Sequence, residues 1–139
     1  MRKMSGTVIR YARQLFVIAP LIGTCLGILG ACRPSLEEKN NSARDTVVEW
    51  CRLAELPASR TNEAIVVTGS SFTRGFEVSF TLNPHELALW TGSGPGLQDA
   101  SLETKGDTMT YLVKPKDAQY CLVQINTVTG EVYIETYWS

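Results

Sequence analysis

Few residues in this chain have side chains suited to covalent or metal chemistry. They are Cys25, Cys32, Cys51, Cys121 and the only histidine, His85. No Cys-x-x-Cys spacing occurs, and one histidine is too few to complete a tetrahedral shell, so no metal site is expected. "HELAL" begins at His85 but lacks the second histidine of a zinc-protease helix. "TGSGPG" has the glycines of a phosphate loop without the following Gly-Lys-Ser/Thr, and Pro95 removes one of the amide donors such a loop uses. Ser70, Ser71 and Ser93 lack a Gly-x-Ser-x-Gly context. The acidic residues stand singly, and Asp99 and Asp107 do not fall at calcium-loop spacing. These residues predict a protein that is not an enzyme and carries no cofactor.

The distribution of charge divides the chain. Thirteen basic residues stand against 14 acidic ones, yet Arg2, Lys3, Arg10 and Arg13 all precede every acidic residue. Beyond residue 31, 9 basic side chains face 14 acidic ones, a net charge of about −5. That body is poorly suited to nucleic acid, whose binding rests on Lys and Arg neutralising phosphates. It also gains nothing electrostatically from an anionic membrane surface.

Residues 15–31, "LFVIAPLIGTCLGILGA", carry no charge and follow the basic segment. A basic start, an apolar run and small residues before a boundary have the form of a secretory signal. As a membrane span the run is short, and Pro20, Gly23, Gly27 and Gly30 weaken it as a helix. Leu29-Gly30-Ala31-Cys32, at its end, resembles the lipobox of bacterial lipoproteins: a branched apolar residue, two small ones, then cysteine. The resemblance covers residues 1–32 only. It implies that the signal is cleaved before Cys32, that the Cys32 thiol carries a diacylglyceryl group, and that the new amine is acylated. Two or three acyl chains hold a protein on a bilayer stably, whereas one does so marginally. Cys25 fails the same pattern because Thr24 precedes it. Arg33 follows Cys32 in place of the Asp that in this family signals inner-membrane retention. The implied location is thus a lipid anchor in the cell membrane, or the outer membrane facing the periplasm in a cell with two membranes.

Residues 32–42 then read as a lipidated cysteine and a flexible polar tether, and 43–139 as one small domain. With Cys25 removed and Cys32 acylated, Cys51 and Cys121 remain. Export into an oxidising compartment pairs them as a disulfide worth roughly 4 kcal/mol in the chain-entropy model.

The expected fold class is α+β. "SARDTVVEWCRLAELP" reads as one helix, capped by Ser42 and stopped by Pro57. From Ala64 onward the apolar period is two, as in "FEVSFTL", and turn signals recur about every ten residues. The pattern predicts an antiparallel meander of about seven strands, "ELALWT" among them, which could curl into a small barrel. In the last hairpin, Asn126 opposite Glu131 fixes the register. Cys121, Val123, Ile125, Val132, Ile134 and Trp138 then share one face, and the helix must lie on it to reach Cys121. Tyr120, Leu122, Tyr133 and Tyr137 share the other face with Gln124 and Glu135, and are the candidate partner surface. Such a face equally serves as an ordinary half-solvated exterior.

Three functional readings follow. The first is an envelope binding module that docks an envelope or secreted protein. Its overall build is similar to that of lipid-anchored lysozyme inhibitors, which suggests inhibition of an envelope or extracellular enzyme; an acidic surface would suit a basic target. The second is a carrier of a hydrophobic ligand, which needs a closed barrel. The third is a structural subunit of an envelope complex.

Overall fold

The computed structural model describes residues 34–139. Cys25, Cys32 and the signal-like segment lie outside the described residues. Helix α1 (Leu36–Trp50) buries Ala43 and Val47 on the face that continues to Cys51. It begins inside the stretch expected to be tether: residues 36–42 are helical, and Glu37 and Glu38 in the first turn favourably face the positive helix terminus. It also ends earlier than Pro57. Arg52 adopts φ 54°, and Leu53 N–H donates to Val48 O at 3.0 Å while Arg52 N–H donates to Glu49 O at 3.2 Å. This paired reversal satisfies the last carbonyls and turns Leu53 into the core.

Six strands follow: β1 (Thr61–Gly69), β2 (Arg74–Thr81), β3 (Ser101–Lys105), β4 (Thr108–Leu112), β5 (Tyr120–Asn126) and β6 (Glu131–Trp138). All neighbours are antiparallel, in the order β1-β2-β6-β5-β4-β3. The α+β class therefore holds, with three corrections. There are six strands rather than seven, because "ELALWT" lies in helix α2 (Pro84–Ser93). Asn83 accepts from Glu86 N–H at 2.9 Å and donates to the Glu86 carboxylate at 2.7 Å, with Pro84 in the first turn. This reciprocal cap starts a helix where alternation alone reads as a strand. The sheet is also not a simple meander. Strands β3 to β6 run in sequence, but β6 returns to pair with β2, and α2 with the short α3 (Pro95–Gln98) carries the chain to the far edge. Finally, the sheet stays open, with β1 and β3 as its edges, so no barrel forms.

One face of the sheet is the core. Phe76, Val78 and Phe80 of β2, Val132 and Ile134 of β6, and Val123 and Ile125 of β5 are buried together with Val47 of α1 and Trp90 of α2. Trp50 meets Phe76 edge-on at 5.5 Å, and Trp90 meets Phe80 edge-on at 5.7 Å. The Cys51–Cys121 disulfide, fully buried with Cα atoms 5.8 Å apart, joins the end of α1 to β5. Beside it, Gly96 donates to Arg52 O at 2.8 Å; a Cβ there would lie 2.1 Å from Cys51 O, so only glycine allows α3 to approach. Glu63 on β1 receives Arg44 Nε of α1 at 2.9 Å and Arg60 Nε at 2.6 Å. That clamp ties the helix to the sheet edge. No helix among the described residues is long and apolar enough to cross a membrane.

Candidate functional site

Strand alternation sends every second side chain away from the helices, and the pairing registers arrange these side chains in rows. One row runs Val66, Glu77, Glu135, Leu122, Leu112; the next towards the strand ends runs Thr68, Gly75, Tyr137, Tyr120. On the other side of the first lies Ala64, Ser79, Tyr133, Gln124, Thr110. The four candidate residues Tyr120, Leu122, Tyr133 and Tyr137 thus occupy adjoining rows of the face opposite the core. Tyr120, Leu122 and Tyr133 are half-buried, and Tyr137 is exposed.

The Tyr120 and Tyr137 rings stack at 5.1 Å, with planes 22° apart. Stacking fixes both side chains, so part of the ordering a contact would demand is already met. Burial, with the nearby Glu135 charge, raises the Tyr120 phenol above its usual range. Burial, the Glu135 charge and then the Glu77 charge push Tyr133 up to about 12. Both hydroxyls keep their protons at neutral pH, and that of Tyr133 is directed to the Glu77 carboxylate.

Glu77 and Glu135 stand directly opposite each other across β2 and β6. Like charges in that position cost stability. Among the described residues, neither carboxylate is bonded to a basic side chain. Glu103 and Glu131 lie on the same face, which by register carries Lys105 as its one basic residue. The face therefore combines aromatic and aliphatic area with excess negative charge.

Towards the β5–β6 turn the face sinks into an open hollow of about 530 Å³, floored by Ser79 and Thr81 and flanked by Gln124 and Tyr133.

The other residues singled out from sequence have structural roles or none. His85 is exposed at the start of α2. Asp99 pairs with Arg52 at 2.8 Å, and Ser93 donates to Leu89 O. Ser70 bonds Thr73 across the β1–β2 turn. Trp138 lies on the helix side by register but is exposed at the strand end. Among the described residues no group of three or more His, Cys, Asp or Glu could hold a metal ion. Sequence reasoning missed the Glu77–Glu135 juxtaposition and the hollow, because both depend on β2 pairing with β6. The only sequence signal was that "FEVSFTL" and "EVYIETYW" share an alternating apolar pattern, which fits many registers.

Comparison of the chain with protein-family profiles, with curated proteins and with solved structures finds no match.

Proposed function

We propose that this chain is a lipid-anchored cell-envelope module that docks a protein partner on the open face of its sheet. The observation that carries this reading is the grouping of Tyr120, Leu122, Tyr133 and Tyr137 on one face, with the stacked Tyr120–Tyr137 pair beside uncompensated Glu77 and Glu135. Tyrosine offers rigid apolar area with a polar tip, and interface centres are enriched in it. The acidic surround favours a partner with a basic patch, and such complementarity speeds encounter and rejects acidic competitors. An envelope or extracellular enzyme with a basic active-site rim is a partner of this kind, and docking there would inhibit it. The anchor is the diacylglyceryl thioether at Cys32, in the outer membrane facing the periplasm where the cell has two membranes. The carrier reading loses support, since an open sheet encloses no lumen.

The test is affinity capture from cells after cross-linking, quantified by mass spectrometry. Captured proteins are compared between the native chain and two variants. Glu135→Lys combined with Tyr137→Ala is expected to reduce recovery of one basic protein at least about tenfold, while Leu89→Ser on α2 leaves it unchanged. Equal recovery with all three chains overturns the reading.

A further inference from the structure

We propose that the hollow over Ser79 and Thr81 binds a neutral saccharide of one or two pyranose rings. This inference stands apart from the docking reading, for it needs neither the lipid anchor nor a protein partner. Among the side chains that line the hollow are Asn62, Ser79, Thr81, Thr108 and Gln124. None of their hydroxyls or amides is hydrogen-bonded to another described residue, whereas most polar side chains around the β5–β6 turn are engaged. Thr127 Oγ1 donates to Asp107 O at 3.1 Å, Thr129 Oγ1 donates to Glu131 at 3.2 Å, and Asn126 Oδ1 accepts from the main-chain amides of Val128 and Thr129, each at 3.0 Å. The Asn126 amide nitrogen remains a donor at the rim.

The lining selects the ligand class by charge and polarity. No lysine, arginine or histidine borders the hollow, and its one charged residue is Glu131, so phosphates and carboxylates find repulsion rather than a partner. A hydrocarbon ligand fares no better. Phe80 and Val132 bury their side chains in the core and contribute main chain to the floor, and apart from the Tyr133 ring the remaining lining side chains are polar. An uncharged molecule dense in hydroxyls satisfies such a surface. Planar amide and carboxylate groups can bond two neighbouring hydroxyls at once, and hydroxyls supply both donor and acceptor. Tyr133 adds an aromatic ring at the wall, against which the C–H face of a sugar ring can pack. The volume falls within the roughly 300–1,000 Å³ of small-molecule sites.

Calorimetric titration of the full-length chain tests this, in a zwitterionic detergent because glycosidic detergents would compete. The probes are N,N′-diacetylchitobiose, cellobiose, lactose and maltose, with glucose and glucose 6-phosphate as a charge comparison. At least one disaccharide is expected to bind saturably. Gln124→Ala is expected to weaken it about threefold to tenfold, the loss of one hydrogen bond. Ser79→Leu, which fills the floor from the solvent side, is expected to abolish binding with the melting transition retained, and Lys114→Ala to leave it unchanged. The proposal is overturned if no disaccharide binds, if Ser79→Leu binds as well as the native chain, or if glucose 6-phosphate binds more tightly than glucose.

Discussion

Glu63 shows how a single residue can add acid sensitivity to this fold. The Arg44 guanidinium grips both its carboxylate oxygens and Arg60 adds a third bond, so the Glu63 carboxyl is held below its usual value against the opposing effect of burial. A depressed carboxyl contributes stability that is present above its unfolded value, near 4.5, and is lost as pH falls through its lower folded value. The melting temperature is therefore expected to fall as pH drops below about 4.5, with Glu63→Gln flattening that part of the profile. At neutral pH the same substitution is expected to cost about 1 kcal/mol, since the ion pair is only partly buried. Calorimetric melting of both proteins from pH 3 to 7 checks this, and parallel profiles would show that the clamp carries no pH dependence. Glu63 has no sequence signature: its partners lie 19 positions away on α1 and three positions away in the preceding loop.

At the scale of elements, the disulfide and the capped helix decide what covers the sheet. Cys51–Cys121 spans a sequence separation of 70 residues and fastens α1 to β5. Cys51→Ser is expected to lower stability by roughly 4 kcal/mol, and the melting point by more than about 10 °C. Added reductant lowers it similarly in the native chain and leaves the variant unaffected; two thiols reactive without reductant would contradict the bridge. This pairing was legible because the lipoprotein reading leaves only Cys51 and Cys121 to pair, and the last hairpin because Thr127–Gly130 fixes its register. Gly130 at φ +74° occupies the turn position where a Cβ would lie 2.0 Å from Leu82 O. Less legible was the element after β2. Asn83-Pro84-His85-Glu86 holds both a turn signal and a helix cap, and Leu87 with Trp90 fits the helix period as well as "ELALW" fits alternation. Burial of Trp90 against Phe80, with its indole donating to Ala54 O at 3.3 Å, resolves the ambiguity through residues distant in sequence. The start of α1 was equally hidden: "LEEKNN" is polar enough for a tether, yet it forms the first turns of the helix that buries Ala43 and Val47.

Across the whole molecule, the two faces of the sheet have different work. Helices and the disulfide complete the inner face, and the outer face retains tyrosines, carboxylates and a polar hollow with no described element over them. A small acidic body held by acyl chains at Cys32 would present that face within the envelope. Cys32→Ala is expected to leave an uncleaved precursor or to release the protein from membrane pellets; unchanged acyl labelling would remove the anchor from the account. The outer face was only half visible in the sequence. Alternation in β5 and β6 grouped the tyrosines, but which strand lies beside β6, and so which charges surround them, is a property of the closed fold.

The most direct measurement replaces single residues with a photo-activated phenylalanine analogue in living cells. Positions 112 and 137 lie on the outer sheet face, and position 89 lies on α2. Light is expected to join one and the same protein to positions 112 and 137 and nothing to position 89. An adduct at 89 with none at 112 or 137 would place the partner on the helical side and contradict the account.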